Sequence, residues 1–465
     1  MTGFFSHIFP ACPMIATMFV FHKIRIPVFF LLPLLLLTLP PALFSQQSAP
    51  SPSVPDPSPP HGLEPLLEKC DHLWQADLAI MLEKFDHHGF KWMSSNHTAL
   101  RSVSPTLRMF DEKVGETVLR AKDGKVFRVD ISIYNRGDHG PINYNDFSNL
   151  ASRWEKQITQ TTRTKPEPET KAKDSAVDLD RVLWYTDSST ILLETSKTRG
   201  EAQFMRLRMA PKPKGAFYLG NSTGVMRKTA KLSDLQSHIK RTSTGDVLIQ
   251  GIPMVDQGPK GYCAVASAER VFRYYGLETD QHEMAELART STSRGTSPSL
   301  MYDALKQASL GAQLRVFSII EWDTKKFFDD IKAYNRLAKK ENVQQAPDDW
   351  RQISYLDQVY DALDPKVYKK HKMERGNYFD SFNKQIEQNV DEGIPLFWGI
   401  HLGMYPEPEI PQARGGHMRL IIGYNQMEKT ILYTDSWGPG HELKRMPADQ
   451  AFAITNGLFI IKPAR

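Results

Sequence analysis

The chain has 465 residues, 41% of them hydrophobic and 24% charged, a globular composition with length enough for two or three domains. Its 58 Lys and Arg nearly balance its 53 Asp and Glu, and the formal net charge of +5 excludes the one-signed field of a nucleic-acid-binding protein. Three cysteines, Cys12, Cys70 and Cys263, exclude a disulfide framework; one Cys70–Cys263 bridge is arithmetically possible, and a working thiolate at Cys263 would forbid it.

At the N-terminus His22, Lys23 and Arg25 precede an apolar run at residues 27–44, PVFFLLPLLLLTLPPALF, followed by small polar residues. That order predicts a signal peptide within residues 1–45, cleaved near Ser45. The alternative is an uncleaved anchor, for which the run is short and its prolines unfavourable. In either case the flanking charges place the rest of the chain outside the cytoplasm, whether secreted, periplasmic or anchored facing outward. A membrane is then a partner only through an uncleaved N-terminal segment. Residues 46–61 are rich in Pro and Ser and form an extended linker.

Residues 62–246 read as an α+β domain built on an antiparallel sheet, with no motif that carries chemistry. LWQADLAIMLEKF has Trp74, Leu78, Met81 and Phe85 at helical spacing. TVLRAKDGKVFRVDISIY predicts a hairpin with a turn at Lys122-Asp123-Gly124. A helix is expected over 147–158, a charged, proline-bearing loop over 162–174, a second hairpin in RVLWYTDSSTILLETS and a further strand in AQFMRLRMA.

Residues 247–465 are long enough for a core of their own. A helix is predicted from Cys263 to a stop at Gly276, a short one over 302–308, and mostly helix over 324–390. IPLFWGI, MRLIIGY and TILYTD are short apolar runs that suit buried strands.

The chemistry lies in three pieces of this second half. In VDQGPKGYCAVASAERVF, Cys263 opens a helix, where unpaired backbone N–H groups and the dipole favour a thiolate. Gln257 lies upstream, and its amide can donate to a carbonyl oxygen that becomes an oxyanion, with the Cys263 N–H as a second donor. In GGHMRLIIGYN, His417 sits at the mouth of an apolar strand, held firmly yet able to reach a thiol. In YTDSWGPG, Asp435 ends the next strand and can orient the imidazole, with Trp437 either excluding water from that bond or serving as plain core.

These pieces resemble papain-like cysteine peptidases. Gln257 through Ala268 match the first signature of that family, Gly416, His417, Gly423 and Tyr424 the second, and Asp435 through Gly438 the third. Asp rather than Asn at the third position is more similar to the bacterial double-glycine leader peptidases and their stand-alone relatives, as are MAELARTSTSRGTSPSLMYDAL and IEQNVDEGIPLFWGI. The resemblance covers about residues 251–440, and an insertion at 324–377 departs from a minimal version. It implies an α+β fold in which a helical lobe carries Cys263 and an antiparallel sheet lobe carries His417 and Asp435. It also implies hydrolysis of a peptide or protein substrate with no metal and no cofactor.

Blander readings stand beside these. A lone cysteine at a helix start is usually a small buried hydrophobe, a histidine beside glycines a loop residue, an aspartate before serine a turn former and a glutamine an ordinary loop amide. Joint order and spacing favour the catalytic set. Cys70, His72, Asp86, His87 and His88 fit no zinc spacing and are expected on helix surfaces. His401 is expected in a loop, and Asn96 and Asn221 begin glycosylation sequons. Two other functions remain open: an amidase or transpeptidase using the same thioester, and a non-catalytic binding protein on a peptidase scaffold.

Overall fold

Alternating apolar and charged residues build the first of two large antiparallel sheets in the computed structural model, which describes residues 62–169, 177–198, 200–212, 231–258, 261–277, 281–290, 296, 298–310, 313–412 and 414–463. The apolar N-terminal run, the Pro/Ser linker, Cys12 and the Asn221 sequon lie outside the described residues. The strands are β1 (Lys91–Trp92), β2 (Ala99–Ser102), β5 (Thr117–Lys122), β6 (Lys125–Asn135), β7 (Glu167–Glu169), β8 (Leu179–Tyr185), β9 (Ser189–Thr198) and β10 (Glu201–Pro211), while β3 (Arg108–Met109) and β4 (Glu112–Lys113) form a small separate hairpin. Their order is β1-β2-β5-β6-β10-β9-β8-β7. Asp123 and Gly124 both take positive φ, 53° and 78°, as a two-residue hairpin turn requires, and so join β5 to β6 where the sequence predicts.

One face of this sheet is apolar. Leu119, Val129, Ile131, Leu193 and Leu207 pack with Phe147, Trp154 and Ile158 of the helix Tyr144–Thr162, whose N-cap Asn143 accepts from the Asp146 N–H at 2.9 Å. The opposite face carries Arg128, Glu194, Arg206 and Arg208, and these are buried too, as ion pairs.

The helix expected over 73–85 is instead two, Cys70–Leu73 and Leu78–Lys84. Between them the Leu78 N–H donates to Gly124 O and the Val126 N–H donates to Ala76 O. The β5–β6 turn thus takes backbone groups that a continuous helix would need. Part of the expected loop over 162–174 is strand, because β7 pairs with β8.

The second sheet comprises β11 (Ile239–Arg241), β12 (Asp246–Ile249), β13 (Leu314–Ile320), β14 (Leu396–Leu402), β15 (Gly415–Asn425), β16 (Thr430–Thr434), β17 (Lys444–Pro447) and β18 (Thr455–Pro463). Its order is β11-β12-β15-β14-β18-β13, with β16 on the other edge of β15 and β17 beyond it. The three apolar runs foreseen as strands are β14, β15 and β16. The sequence boundary at 246/247 cuts through a unit: β11 pairs with β12, β12 with β15, and Leu235 sits in the second core, so residues 232–249 pack with the C-terminal half. The insertion at 324–377 is not a separate lobe either. Phe327, Phe328, Ile331 and Tyr334 of the helix Thr324–Lys340 bury in the core that holds Val265 and Phe272 of the helix Cys263–Tyr274.

Candidate active site

The helix Cys263–Tyr274 begins at the cysteine itself, so Cys263 is its first residue, half-buried and unbridged. The helix packs on β15, and its Val265, Ala268 and Val271 are fully buried. Arg270, on the same helix, reaches across to the end of β16, donating to Asp435 O at 2.7 Å and Thr434 Oγ1 at 2.6 Å. This fixes the helix that begins at Cys263 against the strand that leads to Asp435.

His417 lies near the start of β15, opposite Ile400 of β14, and Leu420 of β15 pairs with Thr434 of β16. That register brings Asp435, the residue after β16, beside His417. The His417 Nε2–H donates to Asp435 Oδ1 at 2.6 Å, and neither side chain has any exposed surface. The Ser436 N–H donates to the same oxygen at 2.9 Å, and Arg419 Nε donates to Oδ2 at 2.7 Å. Trp437 lies flat on the imidazole, with ring centroids 4.3 Å apart and planes 11° apart.

The other imidazole nitrogen, Nδ1, is buried without a well-formed hydrogen bond. The Cys263 side chain is close enough to the His417 ring to act on it by charge and by side-chain contact. Burial opposes the charged imidazolium, but Asp435 and then Cys263 outweigh it and lift His417 from its ordinary 6.5 to about 9. Burial likewise opposes the Asp435 carboxylate; His417 first and Arg419 after it hold it well below the usual range.

Gln257 joins the cluster through Ser436. The Gln257 N–H donates to Ser436 O at 2.8 Å, and Ser436 Oγ donates to Gln257 Oε1 at 2.7 Å. With Oε1 held this way, the amide NH₂ is the end turned away from Ser436. The structure thus gathers Cys263, His417, Asp435 and Gln257 at one place, where the start of the Cys263 helix meets the start of β15 and the end of β16.

Sequence reasoning passed over Arg419, Glu407 and Ser436. Arg419 is fully buried, bridging Asp435 to Glu407 Oε2 at 2.8 Å, and Tyr433 donates to the same Glu407 oxygen at 2.5 Å. A signal was present: Arg419 is two residues beyond His417 on a strand, hence on the same face, and a charge in an apolar run must find a partner. His401 is in β14 rather than a loop. It is buried, stacks on Tyr360 at 3.7 Å and is pushed down to about 3 by burial, which keeps it neutral. Cys70 is buried and donates to Leu67 O at 2.9 Å, and among the described residues no group of His, Cys, Asp and Glu is arranged to hold a metal ion.

Residues 249–455 match the model of the Peptidase_C39 like family. This segment is a cysteine-peptidase domain. A solved structure of xylellain, a cysteine protease from Xylella fastidiosa, aligns over 52% of this chain and 94% of its own, at 13% identity and a TM-score of 0.25. No curated protein matches the sequence. The match begins at Ile249 in β12 and ends at Thr455, where β18 starts, and so takes in Gln257, Cys263, His417 and Asp435. The first sheet lies wholly before it.

Proposed function

We propose that the cysteine-peptidase domain cleaves peptide bonds through an acyl-thioester, with Cys263 as nucleophile, His417 as proton carrier, Asp435 as its orienting group and Gln257 as oxyanion donor. The observation that carries this reading is the imidazole of His417: it is anchored to Asp435 through Nε2, covered by Trp437, and leaves Nδ1 for the thiol. With His417 near 9, the charged imidazolium persists at neutral pH, beside the Cys263 side chain.

The steps follow from that pairing. The Cys263 sulfur attacks the scissile carbonyl carbon, and its oxygen takes negative charge between the Gln257 amide and the Cys263 backbone N–H. The tetrahedral adduct collapses as the imidazolium gives its proton to the leaving amine, which breaks the C–N bond and leaves a thioester on Cys263. Neutral His417 then removes a proton from water, whose oxygen attacks the thioester. The acid departs, and thiolate and imidazolium are restored. Asp435 orients the ring and stabilises its charge throughout.

Asp435 at the third position supports a site like that of the double-glycine leader peptidases and their stand-alone relatives, and the apolar run at 27–44 supports export of the domain. The test is peptide hydrolysis by the purified full chain and by Cys263→Ala, with thiol alkylation followed in parallel. The variant is expected to lose turnover and the modified cysteine peptide together; undiminished hydrolysis by Cys263→Ala would sink the assignment.

A further inference from the structure

The loop that carries Gln257 and Cys263 is held from outside its own domain. Asp256, just before Gln257, uses Oδ1 to accept the Gly258 N–H at 2.8 Å, which closes a tight turn. Its other oxygen accepts from Arg101 Nη1 at 3.0 Å, and Arg101 belongs to β2 of the first sheet. Arg101 is itself buried and fixed by Glu116, whose carboxylate accepts from Nε at 2.6 Å. The guanidinium rests directly on Gly258: a β-carbon there would lie 2.9 Å from Nη2, and the residue takes a φ of +66°. Gly258 therefore supplies both a backbone conformation and a clearance that no other residue would.

The other end of the loop is held in the same way. Tyr262, immediately before Cys263, is fully buried, and its hydroxyl donates to Asn135 Oδ1 at 3.2 Å. Asn135 ends β6 of the first sheet. Its Oδ1 also accepts the Gly137 N–H at 2.8 Å, and its Nδ2 is 2.6 Å from His282 Nδ1. The phenol approaches so closely that a β-carbon on Gly137 would sit 2.2 Å from its oxygen. A third contact reaches the far side of the site, where the Ser95 N–H donates to Glu442 Oε1 at 2.6 Å.

We infer that Arg101 and Asn135 are positioning residues for the loop that presents Gln257 and Cys263, so that the first sheet is a working part of the peptidase site and not a detachable inhibitory segment. The inference rests on the catalytic reading above. Arg101 acts on the oxyanion side through Asp256, and Asn135 acts on the nucleophile side through Tyr262. A displacement of either by about an ångström costs turnover, because the reacting groups must be in place before the carbonyl arrives.

The experiment measures kcat and KM on a short peptide in four full-length variants, and the rate of Cys263 alkylation in the three that keep the cysteine. Arg101→Gln and Tyr262→Phe are expected to lower kcat by about ten- to a hundredfold with KM little changed, and Tyr262→Phe to slow alkylation as well. Glu283→Gln breaks the Arg206–Glu283 ion pair, which joins the same sheet to the peptidase half without touching the loop. It is expected to lower the melting temperature and leave kcat in place. If Arg101→Gln does not fold, Tyr262→Phe, which removes a single hydroxyl, carries the test. Wild-type kcat in folded Arg101→Gln and Tyr262→Phe overturns the inference, and so does an equal fall in Glu283→Gln, which would make docking as a whole the cause. Cys263→Ala separates the two levels: if it still cleaves peptide, the catalytic reading fails, whereas if it is inactive while Arg101→Gln and Tyr262→Phe turn over normally, only the positioning role fails.

Discussion

Asp435→Asn changes no volume and removes one charge from the centre of the site. Oδ1 now accepts from His417 Nε2 at 2.6 Å and Ser436 N at 2.9 Å, and Oδ2 accepts from Arg419 Nε at 2.7 Å. An asparagine cannot satisfy all three. With its oxygen toward His417, its NH₂ meets the Arg419 donor; with the oxygen toward Arg419, its NH₂ meets Nε2 and drives the imidazole proton to Nδ1, where it cannot accept from the thiol. Arg419 keeps Glu407, so the stability loss should fall at the low end for a broken buried pair, about 3 kcal/mol by urea unfolding. For activity, the distance between about 9 and the ordinary 6.5 of His417 corresponds to roughly 3 kcal/mol of imidazolium stabilisation. Losing most of it should lower kcat/KM near neutral pH by about a hundredfold. The sign on the pH axis follows from linkage. A histidine raised to about 9 adds stability that is complete below 6.5 and disappears as pH rises through about 9; the basic limb of kcat/KM should fall in that same upper range. In Asp435→Asn both midpoints should move down to 6.5 or lower, because burial then acts with less opposition. Profiles of kcat/KM and of alkylation rate against pH decide the matter: a basic limb still near 9 with a rate within about threefold of wild type would refute the reasoning.

Gln257→Ala removes one oxyanion donor and should lower kcat by about 10²–10³ with little change in KM, read from steady-state kinetics on a short peptide. Trp437→Ala opens the His417–Asp435 bond to water, so its basic limb should drop below that of wild type and kcat/KM should fall about tenfold. Acid should weaken the first sheet. Glu194, against burial, is held at about 2 by Arg206, Arg208 and Arg181, and Asp130, against burial, at about 2 by Arg128, Arg120 and Arg208. The stability they contribute is complete above their ordinary values of 4.5 and 3.8 and is lost as pH falls through about 2, so thermal melts should show a fall over this interval that Glu194→Gln flattens.

The peptidase half was legible because its chemistry is written locally. Cys263 stands at a helix start, His417 at a strand mouth and Asp435 at a strand end, and the adjacency of the last two needs only that β15 and β16 pair. Gln257 was legible from its offset to the cysteine, but its partner Ser436 was not, since that hydrogen bond joins residues 179 apart in the chain. The first sheet was legible as strands and turns. Its role was not, because Arg120, Arg128, Arg206 and Arg208 alternate with apolar residues as a solvent-facing row would. Only the fold shows that this face is closed off and matched with Asp130, Glu194, Glu269 and Glu283. The kink at 74–77 and the strand position of His401 were missed for a related reason: each depends on a partner strand far along the chain.

The buried charges form a connected argument about rigidity. An apolar interface between the first sheet and the Cys263 helix would have held the halves together with little demand on register, since hydrophobic contact is non-directional. Ion pairs and hydrogen bonds in a buried interface tolerate far less sliding, because a buried donor left unpaired costs its full desolvation. Arg101 with Glu116 and Asp256, Arg120 with Glu269, and Arg206 with Glu194 and Glu283 therefore set the sheet's position on the peptidase half at several separate points. At the site itself, Glu407, Arg419, Asp435 and His417 do the same for the imidazole. Between these two sets lie Gln257, beside Gly258 with its positive φ, and Cys263 at the start of its helix. These two residues gain a single geometry from their anchors, and catalysis by fixed dipoles requires that geometry before the substrate binds.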